Sequence, residues 1–289
     1  MGPIQKKVHI NVDLGEGYGN FKCGPDEELI PMIDHANVAC GFHAGDPLIM
    51  QQTVRACKQH NIAIGAHPGL PDIQGFGRRE MKLSPEELTA MVRYQVGALK
   101  AFLDAEGVPL HHVKPHGVLY GMMYRDKEVC RAVYEGVPKG TPVFGLAGTF
   151  HEETAKEIGL PFVAELYGDV KYNADRTLVI DRKKKAWTTD EIKKHISSQI
   201  ENSSVTAVNG QDIDLPVGDH DHVKWSMNIT RSKDLLDLGY GALHVHDQCS
   251  HSDRWKMDKT SAFFTKDRKI SHEHIDYNDP AAGSKKLSE

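Results

Sequence analysis

Short runs of apolar and β-branched residues recur along the first 120 residues of the chain, and each run ends in a cluster of polar side chains. The runs at 8–12, 35–39, 62–64 and 111–113 have the length and composition of buried β-strands. The clusters that follow them are Asp13-Leu14-Gly15-Glu16, Cys40-Gly41-Phe42-His43-Ala44-Gly45-Asp46, Gly65-Ala66-His67-Pro68 and Lys114-Pro115-His116-Gly117. A parallel α/β barrel collects its reactive side chains in this way, at the carboxyl ends of its strands. The pattern therefore predicts an enzyme.

Helix signals alternate with the predicted strands. Asp46 followed by Pro47 is typical of an N-cap, and Ser84 with Glu87 has the spacing of a capping box before a helix that ends near Gly107. A short helix is predicted to begin at residue 25, further strands at 142–146, 161–166 and 205–208, further helices at 150–158, 190–200 and 222–238, and an eighth strand at 242–245. The sequence thus predicts an α/β fold, an irregular (β/α) barrel of about seven strands.

The composition changes after residue 246. Residues 1–246 are predicted to form a single barrel domain, because no linker-like segment interrupts the alternation of strands and helices. Residues 247–289 form a polar C-terminal extension, which is expected to be partly disordered or packed on the barrel or on a partner. The spacing of the histidines in and just before this extension is not typical of a closed metal site.

Charge and composition narrow the class of protein. The formal net charge of −5 gives no electrostatic reason to expect nucleic acid or an anionic membrane as a partner. No run approaches the roughly 18 apolar residues that a membrane span requires. The N-terminus is expected to lead directly into the first strand, with no room for a signal peptide. The five cysteines are widely spaced, which predicts reduced thiols and a cytoplasmic protein.

The first two strand ends carry carboxylates and an imidazole. Asp13 and Glu16 flank Gly15, and two carboxylates at one strand end suit a cation or an acid–base pair, although one of them could instead cap the next helix. His43 lies three residues before Asp46, whose N-cap role accounts for it fully, whereas His43 is a candidate base or metal ligand. Cys40 is a candidate nucleophile, but a small buried residue is the favoured interpretation.

The third and fourth strand ends add cationic groups. Pro68 ends the third strand, so His67 is expected to point into the mouth of the barrel. The loop that follows, 71–79, carries adjacent arginines that could hold a substrate carboxylate. Lys114 could polarise a carbonyl oxygen or balance the charge of Asp13, and His116 stands beside it.

These segments together resemble the LamB/YcsF family. The resemblance is dense over residues 8–120, where it rests on the four clusters above, on Asn37-Val38-Ala39 before the second, on Pro71-Asp72, Phe76-Gly77-Arg78 and Leu119-Tyr120, and it continues more faintly to about residue 238. It implies a barrel of the glycoside hydrolase/deacetylase type. It also implies ATP-dependent opening of the lactam 5-oxoproline to glutamate, in a complex with two other subunits.

The strand ends and the motifs quoted above together give the candidate site residues. Catalytic roles are predicted for Asp13, Glu16, His43, His67, Lys114 and His116, and substrate-binding roles for Asn37, Asp46, Asp72, Arg78, Tyr120, Asp169 and Tyr172. The second half departs from the family pattern, because Val170 replaces an arginine and Val217 replaces a histidine. Asp175-Arg176 likewise replaces the usual Asp-Gly.

Three functions follow as alternatives. The first is hydrolysis of a cyclic amide C–N bond, in which Lys114 or a metal stabilises the oxyanion, Asp13 or His43 deprotonates water, and His116 or His67 protonates the leaving nitrogen. ATP is then expected to bind with partner subunits or at an atypical site. The second is a deacetylase or amidohydrolase that acts alone, with a divalent metal on Asp13, His43 and His67. The third is a non-catalytic binding component of a complex. A homo-oligomer stays open in each case.

Overall fold

A computed structural model describes residues 9–180, 187–215 and 225–228, together with the strand pairing of 263–264 and 270–271. The chain divides into two compact units, Val8–Asp237 and the combination of Met1–Lys7 with Leu238–Glu289. In the second unit, strand Phe263–Phe264 pairs antiparallel with strand Ile270–Ser271. How the extension 247–289 packs stays a prediction. Within the described part of the chain, no helix combines the length and the apolar character needed to cross a bilayer.

Seven parallel strands of the first unit close into a barrel. Six of them follow one another along the chain, and the seventh closes the ring between the sixth and the first. The strands are β1 (Ile10–Leu14), β2 (His35–Ala39), β3 (Ala63–His67), β4 (His112–Val113), β5 (Val143–Gly145), β6 (Phe162–Tyr167) and β9 (Trp225–Asn228). The prediction of an irregular barrel of about seven strands is therefore confirmed.

Helices connect the barrel strands, and several of them begin where the sequence signals indicate. They are α1 (Asp26–Leu29), α2 (Pro47–Gln59), α3 (Pro85–Glu106), α4 (Gly117–Arg125), α5 (Lys127–Glu135), α6 (Phe150–Ile158) and α7 (Thr189–Asn202), with a 3-10 turn at Ile30–Met32. The Asp46 carboxylate accepts hydrogen bonds from two backbone N–H groups at the start of α2. Ser84 and Glu87 form the predicted capping box of α3, and Gly107 ends that helix with a left-handed φ of 66°.

Two predictions for the second half are wrong. Instead of a barrel strand at 205–208, strand β7 (Ser204–Thr206) pairs antiparallel with β8 (Asp212–Asp214) outside the barrel. The segment 222–238 was predicted as a helix, yet residues 225–228 form the closing strand. Its buried Ser226 and Asn228 side chains bond to Asn11 of β1, so pairing with two barrel strands overrides the helical apolar spacing. The rest of that segment and the predicted strand 242–245 lie outside the described residues.

A layer of polar side chains fills the barrel below the carboxyl ends of the strands. The Asn37 amide donates to the Asn11 side-chain oxygen at 2.8 Å, and His112 lies 2.7 Å from the Asn37 oxygen. Asn37 also donates to Asp13 Oδ1 at 2.9 Å. Asn37, predicted to bind substrate, is thus fully buried and holds the carboxylate above it.

Gly65 in β3 leaves the space that the His112 ring occupies. A Cβ atom at this position would overlap the imidazole, so Gly65→Ala must displace a ring in the centre of the polar layer. We expect this variant to lower the free energy of unfolding by about 1–3 kcal/mol. The matched control is Gly97→Ala on an exposed face of α3, where no atom beyond the adjacent residues and the helix's own backbone lies within 4 Å of the added methyl group. It should raise the free energy of unfolding by about 0.5–1 kcal/mol. Equal effects in urea unfolding would contradict the packing described here.

Candidate active site at the carboxyl ends of the strands

Seven polar side chains converge where the barrel strands end, and we call this group the strand-end site. Its members are Asp13, Glu16, His43, His67, Lys114, His116 and Glu165. The structure thus brings together all six residues that the sequence analysis predicted as catalytic and adds a seventh. Their catalytic roles stay predictions, since the geometry shows only where the groups lie.

Lys114 lies between two carboxylates. Its Nζ donates to Asp13 Oδ1 at 2.9 Å and lies 3.2 Å from Glu165 Oε1, while its side chain is only 3% exposed. Burial alone would lower the pKa of this amine, but the negative charges of Asp13 and Glu165 outweigh burial and raise the pKa of Lys114 above its usual value. The site therefore holds a buried, charged ammonium group.

Of the two carboxylates beside Lys114, Asp13 is the one that solvent reaches. Its side chain is 27% exposed, whereas that of Glu165 is fully buried. Although burial acts to raise the pKa of Asp13, His67 and Lys114 hold that pKa well below its ordinary value. Asp13 Oδ2 also lies 3.4 Å from His67 Nε2. Asp13 is thus an ionised, accessible acceptor beside an ammonium donor.

Glu165 is the functional candidate that the sequence analysis missed. Its Oε2 atom accepts hydrogen bonds from the hydroxyl groups of Tyr120 at 3.0 Å and Tyr167 at 3.1 Å. Tyr120, predicted to bind substrate, therefore holds Glu165 in place. The signal that would have found Glu165 is a single charged residue inside the apolar run 161–166, because a lone charge in a buried strand needs a partner.

Three imidazoles form the other side of the site. His67 Nδ1 lies 2.6 Å from the backbone oxygen of Lys114, His116 Nε2 lies 2.8 Å from that of Phe76, and His67 Nε2 faces His116 Nδ1 at 2.9 Å. The rings of His43 and His116 stack with centroids 3.6 Å apart. Burial lowers the pKa values of His43 and His116 well below the usual value, so both rings are neutral at neutral pH.

Glu16 faces the imidazoles. Its Oε1 atom lies 3.1 Å from His43 Nε2 and 3.5 Å from His116 Nδ1. Burial and the charge of Asp13 raise the pKa of Glu16 to about 8. Ligand atoms of Glu16, His43, His67 and His116 all lie within 4.8 Å of one another, so these residues could hold a metal ion. The set Asp13, His43 and His67 shares two members with this group and stays a prediction.

Asp46 and Asp72, two of the residues predicted to bind substrate, have structural partners. Asp46 caps α2 and also accepts from the Gly19 N–H group at 2.8 Å, as its alternative interpretation held. Asp72 pairs with Arg79 and accepts from the Gly75 N–H group at 2.9 Å, which closes the loop 71–79 and engages one arginine of the adjacent pair. Whether these residues also bind substrate stays a prediction.

Three more of the predicted side chains lie near the loop and at β6. The Arg78 guanidinium lies 5.4 Å from the centre of the Phe76 ring. The Tyr172 hydroxyl accepts from the Tyr167 N–H group at 2.8 Å, and Asp169 is buried. Val170 is buried as well, and its backbone oxygen accepts from His195 at 3.0 Å. Val217 lies outside the described residues.

The thiol of Cys40 is buried and donates to the Val38 backbone oxygen at 3.2 Å. Burial raises the pKa of Cys40 to about 12, so it is not a thiolate nucleophile. The favoured interpretation of a small buried residue is confirmed. The four described cysteines, Cys23, Cys40, Cys57 and Cys130, are free, as predicted.

The burial of His151 leads to a prediction for how the free energy of unfolding depends on pH. Its ring is fully buried against Tyr120, and burial lowers its pKa from 6.5 to about 3. As the pH falls, the unfolded chain therefore protonates at His151 before the folded protein does. The contribution of the neutral His151 to the free energy of unfolding is fully present above pH 6.5 and is lost as the pH falls toward 3. Between pH 7 and pH 5 we expect a loss of about 2 kcal/mol from this group. Urea unfolding of His151→Gln should show a pH dependence smaller by that amount, and an unchanged dependence would contradict the burial of a neutral ring.

Known proteins resemble this chain over most of its length. The profile of the LamB/YcsF family matches residues 8–219. A protein named lactam utilization protein lamB, from Emericella nidulans, is 66% identical over 221 residues, which are 76% of this chain and 87% of that protein. The A subunit of a 5-oxoprolinase from Pyrococcus furiosus is 47% identical over 216 residues, which are 73% of this chain and 85% of that protein.

A solved structure has the same fold. The crystal structure of a lactam utilization protein from Thermus thermophilus superimposes with a TM-score of 0.71 at 41% identity, and the match covers 80% of this chain and 92% of that one. The range matched by the family profile contains every residue of the strand-end site. The chain therefore belongs to the LamB/YcsF family.

Proposed function

We propose that this protein hydrolyses the C–N bond of a cyclic amide, with 5-oxoproline opened to glutamate as the reaction. The observation that carries the proposal is the Lys114 ammonium, which is held beside the accessible Asp13 carboxylate at the mouth of a closed barrel. This pair offers a cationic hydrogen-bond donor and a proton acceptor to one carbonyl group. The names of the relatives from Emericella and Pyrococcus support a lactam as the substrate.

Lys114 is assigned to the carbonyl oxygen of the substrate. An ammonium group has three N–H donors. In Lys114 one of them donates to Asp13, and Glu165 Oε1 lies 3.2 Å from Nζ as an ion-pair partner. Another N–H would donate to the oxygen on which negative charge develops. Such a donor in a site of low dielectric stabilises the transition state strongly, because it is already oriented before the reaction.

Asp13 is assigned as the group that accepts a proton from water and passes it to the leaving nitrogen. The water oxygen bonds to the carbonyl carbon while one water proton passes to Asp13 Oδ2, and the C–N bond then breaks as that proton passes to the leaving nitrogen. Because His67 and Lys114 hold the pKa of Asp13 well below its usual value, the group is ionised before the first transfer and gives the proton up readily in the second. The products are a free amine and a carboxylic acid, which balances the addition of one water.

Coupling to ATP and association with further subunits belong to the same proposal. A five-membered lactam resists hydrolysis, which gives a chemical reason to couple its opening to ATP cleavage. The Pyrococcus relative is named as one subunit of its enzyme, which supports a complex of several chains. We assign the protein to the cytoplasm, where 5-oxoproline and ATP would both reach it.

The test is glutamate release from 5-oxoproline. The purified chain is assayed with and without ATP and divalent metal, alone and in an extract of a bacterium whose own gene for the homologous chain has been deleted. We expect ATP-dependent glutamate in at least the second arm, and a rate lower by about a hundredfold or more when Asp13→Asn replaces the wild-type chain. No glutamate in either arm, together with no binding of 5-oxoproline in calorimetry, would overturn the proposal.

Two other functions predict different results. The clustered ligand atoms of Glu16 and the three histidines favour a metal-dependent amidohydrolase as the second candidate. That enzyme would cleave acyclic amides without ATP. Binding of 5-oxoproline without product in any arm would instead identify a non-catalytic binding component, and the replacement of the family's arginine by Val170 motivates that test.

A further inference from the structure

Two buried histidines of the strand-end site face each other nitrogen to nitrogen. His67 Nε2 and His116 Nδ1 are 2.9 Å apart. The outer nitrogen of each ring faces a backbone carbonyl oxygen, which can only accept a hydrogen bond: that of Lys114 for His67 and that of Phe76 for His116. Without an additional proton, each imidazole carries one N–H, and the carbonyl oxygens direct that N–H outward in both rings. The two facing nitrogens then both present lone pairs.

Two lone pairs at this distance repel each other unless a positive charge lies between or beside them. The charge can be an additional proton, shared by the two rings, or a metal cation. A carboxylate lies on the same side, because Glu16 Oε1 is 3.5 Å from His116 Nδ1. We propose that His67, His116 and Glu16 bind one divalent transition-metal ion. This ion would occupy the same site as the proposed reaction, but its binding does not depend on that reaction.

The orientation of the rings selects the ligands. A metal ion lies in the plane of the imidazole that binds it, and the rings of His67 and His116 are at 89°, so their planes intersect. The rings of His43 and His116 are parallel within 3° and stacked at 3.6 Å, so one ion cannot lie in both planes. His43 is therefore a positioning residue. Its Nε2 atom lies 3.1 Å from Glu16 Oε1 and orients the carboxylate.

The donor set indicates the class of ion. Two imidazole nitrogens 2.9 Å apart are close enough to bind one ion through metal–nitrogen bonds of about 2.1 Å. Two histidines and one carboxylate on an octahedral ion leave positions open and suit Mn²⁺, Fe²⁺ or Co²⁺. Asp13 Oδ2, 3.4 Å from His67 Nε2, stands beside those positions.

The test measures metal binding without substrate. The full chain is stripped with a chelator and titrated with Mn²⁺ in a calorimeter, and the retained metal is then counted by mass spectrometry. We expect about one tight site per chain. Glu16→Gln and His116→Ala should weaken it at least tenfold, and His43→Gln should weaken it less. Co²⁺ in the same site should show the weak visible absorption of an octahedral complex.

Two controls keep the result specific. His60→Ala removes an exposed histidine at the end of α2, outside the site, and should leave the tight site unchanged. Circular dichroism establishes folding, and if His116→Ala fails to fold, Glu16→Gln decides, since it changes one atom of the carboxylate. This comparison also separates the site from histidines of the C-terminal extension, which no variant alters.

The inference is overturned if Mn²⁺, Co²⁺ and Zn²⁺ all fail to bind, or if the tight site survives Glu16→Gln in a folded protein. In the first case the two rings share a proton. The assay contains neither lactam nor ATP, so a chain that binds metal but releases no glutamate contradicts only the proposed function. A chain that releases glutamate but binds no metal contradicts only this inference.

Discussion

Asp13→Asn is expected to lower the rate of 5-oxoproline cleavage by about 10²–10⁴-fold, the range in which general acid–base groups contribute. The amide retains an oxygen that can accept from Lys114 and Asn37, as Asp13 Oδ1 does at 2.9 Å from each. The fold around β1 should therefore persist. What the variant removes is the proton acceptor at Oδ2 and one of the two negative charges that raise the pKa of Lys114.

The measurement separates catalysis from binding. Single-turnover glutamate release should fall, while the dissociation constant of 5-oxoproline in calorimetry should change by less than tenfold. The matched control is Asp104→Asn, an exposed residue of α3 that pairs with Lys100 and should leave the rate unchanged. A rate within a factor of three of wild type for Asp13→Asn would show that another group moves the proton.

The strand ends could be predicted from the sequence because their signals are local. Each apolar run stops at a polar cluster, and parallel barrel strands bring such clusters to one end of the fold. His43, His67, Lys114 and His116 therefore meet as the analysis predicted. The N-caps at Asp46 and Ser84 are equally local, since each requires only backbone groups within three residues.

The closing strand of the barrel could not be predicted for the opposite reason. Residues 225–228 are a strand because β1 and β6 leave a gap that they fill, with Ile10 opposite Met227 and Glu165 opposite Ser226. The pairing with β1 spans more than 200 residues of sequence. Local periodicity contains no information about it, and the same apolar spacing predicted a helix instead.

The roles of individual polar residues could not be predicted from the sequence either. Asn37 has the residue type and position of a substrate ligand, yet its side-chain amide is already hydrogen-bonded to Asn11, His112 and Asp13. Glu165 looked like part of an apolar strand, yet it holds the ammonium group. Residue type and strand position predict that a side chain reaches the barrel mouth or interior, but only the partners show whether it is available to a substrate.

Lys114→Met is expected to lower the free energy of unfolding by about 3–5 kcal/mol, because removing one partner of a buried ion pair leaves an uncompensated charge. Glu165 is fully buried, and Lys114 is the cation that lies 3.2 Å from its Oε1 atom. The two tyrosine hydroxyls on Oε2 donate hydrogen bonds but do not neutralise the carboxylate. Asp13, at 27% exposed, is partly solvated and should suffer less from the loss.

A double variant tests this cause. Glu165→Gln removes the buried charge but keeps an oxygen for Tyr120 and Tyr167, so Lys114→Met/Glu165→Gln should be more stable than Lys114→Met alone by about 1–3 kcal/mol. The control is Lys100→Met on α3, which breaks an exposed pair with Asp104 and should change stability by less than about 0.5 kcal/mol. Urea unfolding at pH 7 measures the free energy of unfolding of the wild type, Lys114→Met, the double variant and Lys100→Met. If the double variant were less stable than Lys114→Met, the instability would come from lost packing, and Glu165 would not depend on Lys114 for its charge.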